Sequence, residues 1–399
     1  MAQGFDPAAA TAAYLAQLPP QMHLKAQHYT QGGHWLLLWG ALVSMLAAWL
    51  VLRSGLLVRL RSGIERRRAR PWLAVFVVVA VDALLEPLLN LPWSGYASWW
   101  RERAYGFTDR AFAGWLAEWG LSALVGAVIS AVVLSLLYAL VRRAPRTWWA
   151  WGGVVVGATF LVMLTAMPVF IQPLFNTYRP APAGPTRDAV AQLARDTGVP
   201  PDRIYVYDGS KQSNRYTANV AGLLGTVRIS LSDVMFAKGA DIPEVRAVVG
   251  HEIGHYKTGQ VLWMALAYGV LAAAGFFLID RLYPRVRAWT GTYGTGDLCD
   301  PAGYPIVSMI LAVLLLLATP FYVGIARLSE SLADRYSLDH AHEPDGLARG
   351  LMKSIEYRAA TPSRLEEVLF YEHPSVERRI RRAMDWKAAH PAPSAPNPG

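Results

Sequence analysis

Two histidines four residues apart, with a glutamate directly after the first, occur in the segment His251–His255. On an α-helix, residues four apart share a face, so both imidazoles can bind one metal ion. Glu252 lies just off that face, where its carboxylate can take a proton from a water molecule. A chance match on a surface helix is the alternative. The neighbouring residues are apolar, however, which indicates a buried helix, and buried histidines need a bound partner. The segment therefore predicts a zinc site.

A catalytic zinc site needs a third protein ligand and one position for water. Glu330 is the best-placed acid, because it follows an apolar segment and a helical hairpin can return it to the two histidines. Asp334 lies one turn further on and can accept a hydrogen bond from the second nitrogen of a ligand histidine. A solvated helix face is the alternative for both acids. Asp339, His340 and His342 are rival ligands at or beyond the predicted end of the helix.

The composition predicts a membrane protein. The chain has 399 residues, 53% of them hydrophobic, and a formal net charge of +9. The arginines cluster beside apolar segments, which is typical of membrane topology, so we expect no nucleic-acid partner. A single cysteine, Cys299, excludes an internal disulfide and a site built from several thiolates. Met1 to Pro7 lacks a basic start before an apolar core, so we expect no cleaved signal peptide.

Hydropathy predicts a mainly α-helical, polytopic membrane protein with about six spans. The histidine motif and the predicted strands before it predict a zincin-like metalloprotease domain that carries a small β-hairpin or sheet. The predicted segments are 1–34, an N-terminal interfacial segment; 35–174, four transmembrane helices; 175–260, the catalytic segment; 261–325, two transmembrane helices; 326–389, C-terminal catalytic helices with the third zinc ligand; and 390–399, a disordered tail. Asp82 and Glu86 interrupt the second span. They indicate a functional site, a structural hydrogen bond between helices, or a shallower span end.

Within the catalytic segment, periodicity predicts a helix over 188–197, a strand over 203–207 and a hairpin of two strands around Gly225. A helix over 241–256 follows, with Asp241 as its N-cap. We expect the strand over 217–222 to align an extended substrate through backbone hydrogen bonds.

Several motifs together resemble the type I CAAX prenyl protease family of integral-membrane gluzincins. These motifs are 251–257 (HEIGHYK), 330–335 (ESLADR), 173–176 (PLFN), 208–211 (DGSK), 228–233 (RISLSD) and 373–380 (HPSVERRI). Weaker similarity extends back to about Trp35, so the resemblance covers most of the chain. The family often begins with an additional span, for which we expect no counterpart here.

The resemblance implies one zinc ion per chain and the following roles: His251, His255 and Glu330 as zinc ligands, Glu252 as the general base, Asp334 as the group that orients a ligand histidine, and His373 and Arg379 as groups that stabilise the oxyanion. Without the resemblance, His373 and Pro374 are typical of a helix start, with Arg379 exposed to solvent. Gln260 stands where the family commonly has a further histidine, and we expect this difference to affect substrate contacts.

The function that these observations predict is a membrane-embedded zinc metalloendopeptidase. Its partners are the lipid bilayer and a membrane-associated or prenylated, CAAX-type protein or peptide substrate. A quality-control protease for membrane proteins is one alternative. A non-enzymatic scaffold or transporter with a structural zinc site is another, although structural zinc sites are usually closed by four protein ligands.

Loop charge and family resemblance differ on the orientation in the membrane. Arginine-rich loops at 53–70, 142–146 and 281–287 are typical of the cytoplasmic side, which puts residues 175–257 on the opposite side. The resemblance implies that this catalytic segment lies in the cytosol. Both orientations stay open.

Overall fold

The computed structural model describes residues 5–66, 70–222 and 227–391. The turn predicted around Gly225 lies outside the described residues, as does most of the predicted tail.

The described residues are mainly α-helical, with one small sheet, which confirms the predicted fold class. The helices are α1 (Pro7–Leu15), α2 (Pro20–Ser54), α3 (Leu56–Glu65), α4 (Pro71–Leu89), α5 (Leu91–Gly95), α6 (Arg101–Ala104), α7 (Phe112–Arg143), α8 (Trp148–Ala166), α9 (Gln172–Phe175), α10 (Pro185–Asp196), α11 (Asp233–Ala237), α12 (Ile242–Lys257), α13 (Gln260–Thr290), α14 (Tyr304–Ala341), α15 (Pro344–Lys353), α16 (Arg364–Phe370) and α17 (Val376–Ala389). The strands are β1 (Tyr178–Pro180), β2 (Ile204–Tyr207), β3 (Ala218–Ala221) and β4 (Arg228–Ser232).

The chain divides into two compact units. The first comprises the described residues of Met1–Gly32, Leu164–Gln260 and Val323–Gly399. The second comprises those of Gly33–Met163 and Val261–Tyr322.

Five helices are long and apolar enough to cross a membrane: α2, α4, α7, α13 and the segment Pro301–Ala341, which contains α14. A sixth candidate is broken, since Trp148–Leu164 and Val169–Phe175 meet at a bend of 57°. The bend lies beside Pro168, and a proline inside a helix kinks or breaks it because it cannot donate a backbone hydrogen bond. Counting this pair as one span gives the predicted six.

The helices extend beyond the predicted spans. α14 runs without a break from Tyr304 to Ala341, whereas the sequence predicted transmembrane helices that end at residue 325 and separate catalytic helices from residue 326. Likewise, α2 begins at Pro20 rather than at Trp35. The physical reason is that hydropathy marks where an apolar stretch stops, while a helix continues wherever its backbone hydrogen bonds do.

The sheet has the strand order β1-β2-β4-β3, so β3 is an edge strand. β2 is parallel to β4, and the other neighbours are antiparallel. β3 and β4 are the two strands of the predicted hairpin. α10, the sheet and α12 share one hydrophobic core, which includes Leu193 of α10, Ile229 of β4 and Ile253 of α12, each 0% exposed.

In the second unit, Asp82 is buried in protein, with 0% of its surface exposed. Neither of its carboxylate oxygens has a hydrogen bond among the described residues. Glu86 lines a cavity of about 330 Å³ together with Tyr304 and Ser308. Asp82 therefore faces the protein interior rather than lipid.

Candidate metal centre

Helix α12 presents the two histidines of the predicted motif. Asp241 is its N-cap and accepts a hydrogen bond from the backbone N–H of Glu244 at 2.9 Å. This contact satisfies one of the otherwise free donors at the start of the helix. His251, in the third turn, is buried with 8% of its surface exposed.

Glycines on α12 allow close approach to α14. A Cβ atom on Gly254 would lie 2.9 Å from the Cα atom of Ala333, and one on Gly250 would lie 3.0 Å from Ser337 Oγ. The Ser337 hydroxyl also donates to the carbonyl of Ala247 at 2.6 Å. This close packing places Glu330, one turn before Ala333, beside the histidines.

Replacing Gly254 with alanine is expected to separate the two helices, because the contacted atoms belong to the backbone. We expect the free energy of unfolding to fall by about 1–3 kcal/mol, and the affinity for metal to fall with it. Thermal unfolding and metal titration measure both effects. Gly275→Ala is the matched control: a Cβ atom there has open space, so no loss is expected. Equal behaviour of the two variants would contradict the close-packing account.

The three predicted ligands meet at one point. His251 Nε2 lies 3.1 Å from His255 Nε2 and 3.2 Å from Glu330 Oε2, and His255 Nε2 lies 3.4 Å from Glu330 Oε1. Ligands about 2.0–2.2 Å from a tetrahedral zinc ion are about 3.3–3.5 Å apart. Glu330 Oε2 is also buried without a hydrogen bond among the described residues. These three side chains therefore fit a zinc ion.

A carboxylate orients His251. Its Nδ1 atom donates to Asp334 Oδ1 at 2.9 Å, which leaves Nε2 free to bind a metal. Asp334 is 1% exposed, and its charge is balanced by Arg379, whose Nε and Nη2 atoms donate to the two oxygens at 2.8 and 2.6 Å. Arg379 is itself buried rather than exposed to solvent.

A neutral amide orients His255. The imidazole Nδ1 donates to Gln260 Oε1 at 2.7 Å, and Gln260 Nε2 donates to the carbonyl of Ser329 at 3.0 Å. Gln260 and Ser329 are 2% and 3% exposed. The sequence indicated substrate contacts for Gln260, whereas the structure places it against a candidate ligand. The sequence signal that could have identified this contact is the location of Gln260 five residues after His255, where α13 starts.

We expect Gln260→Ala to weaken zinc binding roughly 10- to 100-fold, because His255 loses the partner that fixes its orientation. Gln260→Glu retains an acceptor at the same place and should bind zinc at least as tightly as Gln260→Ala does. Competition with a chromophoric chelator measures both. Gln192→Ala, on the exposed surface of α10, is the control. Wild-type affinity in Gln260→Ala would contradict this role.

The neighbouring carboxylates raise the pKa values of both candidate ligand histidines. Burial alone would lower the pKa of His251, but the Glu330 and Asp334 carboxylates raise it to about 10. The pKa of His255 is also raised, against the effect of burial, by its contact with Glu330. Zinc binds only the neutral imidazole, so binding must release protons.

Zinc binding at pH 7 is therefore expected to release about one proton or more, and the apparent affinity should rise with pH up to the raised pKa of His251. Calorimetry in two buffers with different ionisation enthalpies measures the number of protons released. Equal heats in both buffers would contradict the expectation.

Glu252 and His373 lie beside the ligands. Burial raises the pKa of Glu252 above its ordinary value, against the lowering effect of His251 and His255. His373 Nε2 lies 3.2 Å from Glu330 Oε2. Burial and the Arg358 guanidinium hold the pKa of His373 well below its usual range, so this imidazole is neutral.

The rival ligands make other contacts. Asp339 accepts a hydrogen bond from Trp386 at 2.9 Å. His340 stacks on Tyr336, with ring centroids 3.8 Å apart, and His342 packs near Trp386. Within residues 5–66, 70–222 and 227–391, the group that can hold a metal consists of two histidines of α12 and one glutamate of α14.

Comparison with known proteins gives two matching family descriptions. "CAAX prenyl protease N-terminal, five membrane helices" matches residues 8–177, and "Peptidase family M48" matches residues 180–387. Four of the candidate spans, counting the bent pair as one, lie in the first range. The two matches together extend over both the membrane helices and the candidate metal centre.

Similar proteins include the uncharacterized metalloprotease YhfN of Bacillus subtilis, which is 26% identical over 90% of this chain and 84% of the relative. CAAX prenyl protease 1 of Saccharomyces cerevisiae is 27% identical over 76% of this chain and 70% of the relative. The crystal structure of S. mikatae Ste24p has a TM-score of 0.74, covers 95% of each chain and is 21% identical. The last comparison shows a shared fold.

Proposed function

Since the chain belongs to peptidase family M48 and is a multi-pass integral membrane metalloprotease, we propose that it is a zinc-dependent endopeptidase of the gluzincin type. The observation that carries the proposal is that His251, His255 and Glu330 each offer a ligand atom, all within 4.8 Å of one another. Three protein ligands leave one position for water, as catalytic zinc sites require.

A zinc ion held by these residues supplies Lewis acidity toward a water molecule and toward the scissile carbonyl. Glu252 accepts the proton of the attacking water and passes it to the leaving amine. Its raised pKa supports this role, because a carboxylate with a pKa nearer neutrality is a stronger base toward the attacking water.

His373 and Arg379 have different roles in the proposed reaction. His373 touches Glu330 and is neutral, so its N–H can donate toward the oxyanion that forms when water attacks a peptide carbonyl. Arg379 has two hydrogen bonds to Asp334, and its Nη2 lies 3.8 Å from Glu330 Oε2. We therefore assign Arg379 mainly to holding Asp334, with its charge adding to the positive potential at the oxyanion.

The substrate class rests on the names of the relatives. The Saccharomyces cerevisiae, Caenorhabditis elegans and Homo sapiens proteins are all CAAX prenyl protease 1 or its homologues. We propose a prenylated, membrane-associated protein or peptide with a C-terminal CAAX motif as the substrate. The edge strand β3 can align its extended backbone.

Hydrolysis of quenched peptides by the purified full-length protein tests this function. A farnesylated peptide with a C-terminal CAAX motif should be cleaved, a chelator should stop the reaction, and zinc should restore it. The same peptide without the lipid is the control. Equal cleavage of both peptides would favour a general protease of membrane proteins, and no cleavage of either would contradict the proposed function.

A further inference from the structure

Arg358 is a cation near the candidate metal centre. It follows the turn Ile355–Tyr357, and its Nη2 atom lies 3.5 Å from His373 Nε2. Among the side chains that the structure describes, no carboxylate forms an ion pair with it, whereas Arg379 is paired with Asp334. Burial lowers the pKa of the Arg358 guanidinium. A partly buried charge of this kind is costly unless a ligand balances it.

His373 connects Arg358 to the metal ligands. The same Nε2 atom that faces Arg358 lies 3.2 Å from Glu330 Oε2. The guanidinium nitrogen is therefore no more than about 7 Å from Glu330 Oε2. Because an extended chain advances about 3.3 Å per residue, a group that Arg358 binds can belong to a residue two or three positions beyond the scissile bond.

The direction of β3 indicates which end of the substrate reaches Arg358. Arg215, three residues before β3, lies 5.1 Å from the ring of Tyr357, and Arg358 lies 5.5 Å from the same ring. Arg358 therefore lies near the N-terminal end of the edge strand β3. A substrate paired antiparallel to β3 has its C-terminal residues at that end.

We propose that Arg358 binds the free C-terminal carboxylate of the substrate, a few residues beyond the scissile bond. The inference rests on the proposed function, and it explains how an endopeptidase would select the end of a chain. A CAAX motif lies at the C-terminus of its protein, so the fragment released by cleavage is short and carries the C-terminal carboxylate. Guanidinium and carboxylate groups pair through two parallel hydrogen bonds, which gives specificity as well as affinity.

Two peptides that differ only in a C-terminal carboxylate or carboxamide test the inference. We expect wild-type kcat/KM to be roughly 10- to 100-fold higher for the carboxylate. In Arg358→Gln this ratio should fall to about one, and Arg358→Lys should retain part of it, since lysine keeps the charge without the planar fork. Arg381→Gln, whose side chain is 49% exposed, removes a charge elsewhere in the same unit and should keep the wild-type ratio.

A binding measurement separates this inference from the proposed function. The Glu252→Gln protein should bind the carboxylate peptide more tightly than the carboxamide in a competition assay, without turnover. If wild type hydrolyses neither peptide, the proposed function fails, and the same binding comparison with Arg358→Gln added to Glu252→Gln still decides the role of Arg358. Equal binding and equal hydrolysis of the two peptides would overturn the inference. So would an equal loss of hydrolysis of both peptides in Arg358→Gln, which would place Arg358 at the reacting carbonyl. A wild-type ratio near one would overturn the inference even where the Arg358 variants do not fold.

Discussion

Glu252→Gln is expected to retain one zinc ion per chain and to lose peptide hydrolysis by roughly 10²- to 10⁴-fold, the usual contribution of a general base. Glutamine has the shape of glutamate but cannot accept the proton of the attacking water. Glu252 is not one of the three ligands that meet at the metal centre, so the metal should stay bound. Metal analysis and kcat/KM of the same preparation measure both outcomes.

Glu343→Gln is a suitable control for this substitution. Glu343 forms a surface ion pair with Arg246 at 3.2 Å and takes no part in the metal centre. Its replacement should leave hydrolysis near the wild-type rate. If Glu252→Gln also hydrolysed peptides at that rate, Glu252 would have no part in the reaction.

Asp334→Asn is expected to have the largest effect on stability. The carboxylate accepts two hydrogen bonds from the buried Arg379 guanidinium and one from His251. Without it, a buried positive charge is uncompensated, which costs about 3–5 kcal/mol. Zinc affinity should fall roughly 10- to 100-fold as well, because His251 loses its orienting partner.

Asp339→Asn is the matched control on the same helix. The Asp339 side chain is 42% exposed and pairs with Arg335 at 3.7 Å. Its replacement should change the free energy of unfolding by about 0.5 kcal/mol or less. Similar unfolding temperatures for the two variants would contradict the view that Asp334 holds the buried network together.

Spacing alone was sufficient to predict the part of the metal centre that lies on α12. His251 and His255 are one helical turn apart, and a capped helix carries them into a buried site. Glu330 and Asp334 were identified by the same periodicity, since a metal ligand and the acid that supports it must share a helix face. Their meeting with α12 depends on the tertiary contact at Gly254, which the sequence does not encode locally.

Contacts between distant segments explain what was missed. Gln260 was interpreted as a substrate contact from the resemblance to a family in which a histidine is common at this position. Its place beside His255 depends on its hydrogen bond to the Ser329 carbonyl, 69 residues away along the chain. Arg358 was not predicted as a site residue because it is not part of a periodic pattern in the sequence. Its contact with His373 depends on the fold. The short strand β1, Tyr178–Pro180, was also missed, because three residues give no measurable alternation.

Zinc K-edge X-ray absorption of the purified protein tests the central claim most directly. The account predicts nitrogen and oxygen ligands at about 2.0–2.2 Å, with the scattering pattern of two imidazoles and no sulfur. In Glu330→Ala, the predicted result is loss of the bound zinc or a changed coordination shell. A Glu330→Ala protein with full zinc content and an unchanged spectrum would contradict the account.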